Sequence, residues 1–231
     1  MEPALPFYDV MVDIETTGTD RSNSAIIQIA AAMFDPVSER IGPCFDMCLE
    51  MAPGRFWDED TRNRWASKPD VFQRIASQQM DPRYVIEAFA AWVRQNTGAL
   101  YSPRLWGKPI SFEQPFLEGY FKQFGVDNPF HFRDCVDMQS FIRGLRRDHT
   151  APAFDKEVPM IGDAHYALDD VFHQIAVVVA ARRKFINGEE INARETGQSG
   201  GGQALDRPTE TDGGGDAGGH GGVGPEGGSQ A

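Results

Sequence analysis

The chain has 231 residues, 41% of them hydrophobic and 24% charged, a globular composition with enough length for a substantial core. Its net charge of −12 and pI of about 4.8 exclude broad, salt-driven clamping of duplex nucleic acid, but not a small site made locally basic by bound cations. The N-terminus lacks the basic and apolar segments of a signal peptide, and no stretch approaches the roughly 18 apolar residues of a membrane span.

Three extended runs come first: Tyr8–Glu15, Ala25–Phe34 and Phe45–Glu50. The first two are nearly continuous in apolar and small residues, as strands covered on both faces should be. Polar segments of hairpin length, Gly18–Ser24 and Asp35–Arg40, separate them. Helical patterns follow at Asp58–Ala66 and Asp70–Ser77, parted by Pro69. Asp81-Pro82 is an N-cap followed by proline at the first helical position, opening a helix to Asn96. A short run at Arg104–Trp106 precedes a helix at Gln114–Phe124 that ends at Gly125, then another at Asp137–Arg147. The last, Ala167–Phe185, sets Leu168, Val171, Ile175, Val178 and Val179 at helical spacing. Strands followed by helices around a further strand predict an α/β fold with a mixed sheet.

Periodicity stops near Phe185. Residues 187–231 hold 15 of the 24 glycines, no aromatic residue, and eight acids against two arginines. Such a segment cannot bury enough apolar area to offset its ordering entropy, so a disordered acidic tail is expected after a domain spanning residues 5–186. The tail accounts for half of the net charge, so the domain itself is less hostile to nucleic acid than the whole. Cys44, Cys48 and Cys135 are odd in number and lack metal-site spacing; reduced thiols in a cytoplasmic protein are expected.

Asp13 and Glu15 sit two apart at the end of the first strand, so both side chains leave the same face while Val12 and Ile14 enter the core on the other. The pair reads either as a solvated strand end or as a divalent-cation site. Near the far end of the chain, HYALDD brings His165 and Asp170 to the start of the last helix. Asp169 should point about 100° around that helix from Asp170, toward solvent or the helix dipole.

DIETTG (Asp13 to Gly18) and HYALDD (His165 to Asp170) resemble the first and last motifs of the DEDDh 3′→5′ exonucleases. WGKPISFEQPFLEGYF, from Trp106, occupies the place of that family's middle motif. With the TRNRWASK segment at Thr61 to Lys68, the arrangement is most similar to a phage and mycobacterial branch of 3′→5′ exoribonucleases. The resemblance covers residues 8–182 and implies a ribonuclease H-like mixed β-sheet flanked by α-helices. It also implies Asp13, Glu15 and Asp170 as metal ligands and His165 as general base. The family has aspartate after the middle aromatic; here Phe112 is followed by Glu113, the implied fourth ligand, longer by one methylene, roughly 1.5 Å of reach.

The implied chemistry is phosphodiester hydrolysis at single-stranded RNA or DNA 3′ ends, RNA favoured, with two Mg2+ or Mn2+ ions about 4 Å apart. Its products are nucleoside 5′-monophosphates. Thr16 and Thr17 match positions that line the terminal-nucleotide pocket in the family. Phe112 and Trp65 are the candidates for base stacking, with Arg62, Arg64 and Lys68 nearby. Asp137 opens a helix and reads equally as an N-cap or a site acid. Arg143, Arg146 and Arg147 read as a solvated helix face. No membrane partner is expected, and a homodimer is left open. A DNA-trimming enzyme of the same fold and a binding module with a weakened site remain the alternatives.

Overall fold

The first three extended runs pair as an antiparallel meander: β1 (Asp9–Thr16), β2 (Ile26–Asp35) and β3 (Arg40–Leu49). They are part of a computed structural model that describes residues 6–97, 102–160 and 162–188. β3 begins five residues earlier than its alternation suggests. Arg40-Ile41-Gly42-Pro43 has no strand periodicity, but the hairpin pairs Asp35 with Arg40 and Phe34 with Ile41. Three parallel additions complete the sheet. β4 (Gln79–Met80) lies beside β3, β5 (Arg104–Gly107) beside β1, and β6 (Cys135–Asp137) beside β5. The order is β4-β3-β2-β1-β5-β6, a mixed six-stranded sheet.

The helices cover both faces of this sheet. α1 (Glu59–Ala66), α2 (Pro69–Ala76), α5 (Met138–Arg146) and α6 (Ala167–Arg182) contribute to one apolar cluster, α3 (Pro82–Asn96) and α4 (Ile110–Phe124) to the other. Val10, Val12 and Ile14 of β1 enter the α3/α4 cluster, whereas Met11 faces α6. Strand alternation therefore puts Asp9, Asp13 and Glu15 on the α6 side.

Asp58, Asp81 and Asp137 each cap a helix, accepting from the backbone N–H groups of Thr61, Tyr84 and Ser140. α4 starts at Ile110 rather than Gln114. Pro115 lies inside the helix. The burial of Phe116, Leu117, Tyr120 and Phe121 outweighs the helix bond that this proline cannot make. Phe112 and Glu113 consequently ride on the first turn of α4 instead of preceding it. A 3-10 turn at Asp155–Glu157 lies before α6, and a π-helical turn at Arg183–Asn187 continues it.

Cys44, Cys48 and Cys135 are free thiols. Among the described residues no helix is long and apolar enough to cross a membrane. The expectation for the C-terminal tail falls outside the described residues from 189 onward.

Candidate active site

β1 carries two of the acids and α6 the third. One carboxylate oxygen from each of Asp13, Glu15 and Asp170 can be chosen so that all three lie within 4.8 Å of one another. α6 achieves this by packing on β1 and β2 through Val171, Ile175 and Val178, which swings its first turn over the end of β1. Like charges this close, with little water between them, resist ionisation. Burial, then the neighbouring Asp170, raises Asp13 to about 8, against the help of the Gln174 amide and the Lys108 ammonium. Burial, then Asp13 and Asp170, holds Glu15 well above the ordinary carboxylate range, opposed by Lys68 and Arg64. Asp170 is raised as well, chiefly by burial.

Glu113 reaches the same neighbourhood from α4. It is 2% exposed, and its Oε2 is buried without a hydrogen-bond partner. Burial first, then the charge of Asp13, pushes it up to about 9. Its carboxylate is seated against Gly107 at the end of β5, where a Cβ would lie 2.8 Å from Oε2. Glu113 is not one of the three acids whose oxygens lie within 4.8 Å of one another. Raised pKa values on three carboxylates and an orphaned carboxylate oxygen beside them are what a site for divalent cations looks like before its ions bind. The donor set, all oxygen, suits hard cations such as Mg2+ and Mn2+.

His165 precedes α6 in an exposed loop, and its backbone N–H donates to Asp170 Oδ2 at 2.7 Å. Partial burial, then the Lys68 and Arg64 charges, lower its pKa, while Asp170 opposes them. At neutral pH its imidazole is therefore neutral and able to accept a proton.

A cavity of about 150 Å3 adjoins the acids, lined by Glu15, Thr16, Thr61, Trp65, Phe112 and His165, with Arg64 and Lys68 at its edge. A second, of about 230 Å3, shares Thr19 and Phe112 with it and adds Arg21 and Ser111. Phe112 thus stands between the two, its ring centroid 5.0 Å from that of Phe116. Trp65 is buried: its indole N–H donates to the Thr16 carbonyl at 3.1 Å, and one surface still lines the smaller cavity.

Thr17 is not brought to either cavity. The ladder shifts register between Glu15 and Thr16, and the Thr17 hydroxyl is committed to the Phe56 carbonyl and the Ala25 N–H, 2.7 Å each. Asp169 is likewise buried rather than solvent-facing, because Oδ2 accepts the Asp163 N–H at 3.0 Å. Asp137 is an N-cap that also accepts from Ile110 N at 3.3 Å. Arg143 and Arg146 donate to the carbonyls of Ala151 and Pro152, so they tie down a loop as well as meeting solvent.

Two polar contributors were not visible in the motifs. Gln174, 4% exposed, donates through Nε2 to Asp13 Oδ1 at 2.7 Å. It stands one turn beyond Asp170 on α6, and that i+4 spacing is the signal that could have found it. Lys108, which follows β5, pairs with Asp155 at 2.6 Å and lowers the pKa of Asp13 and Asp170.

Several known proteins are similar to this chain. An oligoribonuclease of Corynebacterium diphtheriae (strain ATCC 700971 / NCTC 13129 / Biotype gravis) is 24% identical over 178 residues, covering 77% of this chain and 82% of that one. The nuclease domain of 3′hExo, a DEDDh family member bound to rAMP, superposes with a TM-score of 0.61 at 14% identity, over 80% of this chain and 94% of that one. S. pombe Pop2p, in a form bound to Mg2+ and Mn2+, gives 0.58 at 14% identity, over 81% and 87%. Fold and site define a 3′→5′ exonuclease built on a ribonuclease H-like sheet, with an acidic cluster that could hold metal ions. Residues 8–181 match the family described as the 3′-5′ exoribonuclease Rv2179c-like domain. The chain belongs to that family.

Proposed function

We propose that this protein removes nucleotides one at a time from the 3′ ends of short single-stranded RNA, releasing nucleoside 5′-monophosphates. The observation that carries this reading is the cluster of Asp13, Glu15 and Asp170 beside a cavity with His165 on its wall. The oligoribonuclease likeness supports RNA over DNA. We take the exonuclease domain to extend over residues 5–186, and the three free thiols favour a cytoplasmic location.

Asp13, Glu15, Asp170 and Glu113 would hold two Mg2+ or Mn2+ ions. When bound, the ions would supply charge neutralisation at the scissile phosphate and a more acidic water. The chain's own residues do the rest. Gln174 fixes Asp13 through Oδ1. His165 takes the proton of the attacking water. Thr16 and Trp65 form one wall of the cavity for the terminal nucleoside, and Phe112 separates it from the next. Arg64 and Lys68 bring positive charge to the cavity's edge, where a phosphate chain would pass.

The test is incubation with end-labelled single-stranded RNA and DNA in Mg2+, Mn2+ or EDTA. Stepwise 3′ shortening that needs metal and favours RNA is the expected result. DNA shortened faster than RNA would replace the substrate. Degradation in EDTA, or none in any metal, would overturn the reading.

A further inference from the structure

His165 has left-handed backbone, φ 71°, in a residue that carries a side chain. Such conformations are uncommon outside glycine and persist where the surroundings over-determine them. Two sets of contacts outside the acid cluster do so here.

On the N-terminal side, Asp169 Oδ2 accepts the Asp163 N–H at 3.0 Å. Gly162, with φ 92°, lies flat against that carboxyl group; a Cβ there would come within 2.5 Å of Asp169 Cγ. The loop ahead of His165 is thereby tied to the helix behind it.

On the C-terminal side a closed polar circuit runs between the sheet and the start of α6. The Tyr166 hydroxyl donates to Asp46 Oδ2 at 2.7 Å, and Gln28 Nε2 donates to Asp46 Oδ1 at 2.7 Å. Gln28 Oε1 in turn accepts the Ala167 N–H at 3.2 Å. The Arg74 guanidinium lies 3.5 Å over the Tyr166 ring. None of Gln28, Asp46 and Tyr166 lines either cavity or belongs to the acid cluster. Buried polar circuits that are fully satisfied specify a single local geometry.

We propose that Tyr166 and Asp46 are positioning residues for the hydrolysis: the Tyr166 hydroxyl, anchored on Asp46, holds the backbone of His165 so that its imidazole faces the attacking water. The proposal rests on His165 as the general base. It makes the N-cap residue of α6 a determinant of turnover rather than of substrate or metal binding.

The experiment is a double-mutant cycle between Tyr166→Phe and His165→Ala, read by steady-state kinetics on an RNA oligonucleotide and by the midpoint of a Mn2+ titration. Tyr166→Phe should lower kcat by roughly tenfold or more, as misplacing a reacting group does. KM, the Mn2+ midpoint and the melting temperature should stay near wild type. In the His165→Ala background the same substitution should cost nothing further, because its effect passes through the imidazole. Asp46→Asn keeps an acceptor for Gln28 and can donate to the Tyr166 oxygen, so it should keep most of kcat; Asp46→Ala should not.

An unchanged kcat in Tyr166→Phe overturns the proposal. So does an equal loss in both backgrounds, or a raised Mn2+ midpoint, since either would place the effect on Asp170 or the fold. Wild-type kcat in His165→Ala removes the general base, and the proposal with it, while leaving the exonuclease reading intact. A wild-type chain inactive in every metal overturns that reading itself.

Discussion

Asp9 and Asp13 stand four residues apart on one face of β1, under the same layer of helices, Asp9 buried and Asp13 half-buried, and their surroundings differ in kind. Asp9, 3% exposed, accepts from Arg104 Nε and Nη2 at 2.6 and 2.5 Å and from the Trp106 indole at 2.7 Å. Its charge is neutralised by a forked guanidinium, and both oxygens are occupied, which ties β1 to β5. Asp13 has one amide donor, Gln174, and faces two further acids. One end of the strand completes its electrostatics within the chain; the other leaves three acids facing one another, a set that could hold a cation. Burial of a carboxylate is therefore not the mark of the site here. The mark is a desolvated carboxylate that forms no ion pair with a cation among the described residues.

Exchanging each aspartate for its neutral isostere separates the two roles. Asp13→Asn should lower exonuclease activity by roughly a thousandfold, the loss expected when several kcal/mol of transition-state stabilisation by metal is forfeited. In EDTA the same variant should melt higher than wild type, because one member of a repelling cluster is gone. Asp9→Asn should do the reverse: nearly unchanged activity per folded molecule, with stability reduced by about 2 kcal/mol through the weakened Arg104 pairing. Kinetics beside thermal melts decide this. Equal losses of activity from both would abolish the distinction.

The distinction also predicts opposite pH behaviour with and without metal. Asp13 titrates near 8 in the folded chain, against about 3.9 in an unfolded one. Between those values the folded state holds a proton that the unfolded state has released, so its contribution to stability falls as pH rises. It is complete below the unfolded value and lost above pH 8. The melting temperature of wild type relative to Asp13→Asn, in EDTA, should thus decline from pH 5 to 8.5. Mn2+ must displace those protons to bind, so the stabilisation it confers should grow over the same range. A difference that stays flat with pH would mean that Asp13 is ionised without metal.

The two ends of β1 were unequally legible in the sequence. β1, β2 and α6 could be read because each is buried over most of its length and its apolar pattern is nearly continuous. The i, i+2 spacing of Asp13 and Glu15 gave their common face, and the motif likeness gave their partners. β4 and β6, of two and three residues, exist only as pairings with a neighbouring strand, and nothing local announces them. Asp9 gave no sign of its role, since Arg104 lies 95 residues away in sequence. Gln174 and Asp13 are 161 apart. The helical wheel turns Asp169 away from Asp170 toward solvent, but it does not show that the Asp163 N–H and Gly162 fill the space on that side. Thr16 and Thr17 read alike as pocket lining in the motif, but only Thr16 lines a cavity, because the Thr17 hydroxyl is taken up by the Phe56 carbonyl and the Ala25 N–H.

The smallest expected effect concerns the acid whose length departs from the family pattern. Glu113 keeps its carboxylate against Gly107, and a methyl group there would meet Oε2 at 2.8 Å and Cδ at 3.1 Å. Gly107→Ala should therefore unseat the carboxylate while leaving β5 paired, because the strain falls on a side-chain end rather than on backbone. We expect activity to drop by roughly tenfold, the scale of a ligand misplaced by a fraction of an ångström to an ångström, with more Mn2+ needed for half-maximal rate. Adding Glu113→Asp shortens the arm by one methylene, draws the carboxylate back from the new methyl group and should return part of the loss. If Gly107→Ala alone is as active as wild type, the seat on Gly107 is a resting position and Glu113 works from elsewhere. If the double variant is worse than Gly107→Ala, then reach, not room, limits this ligand, and the longer acid is required for a metal that the shorter one cannot touch.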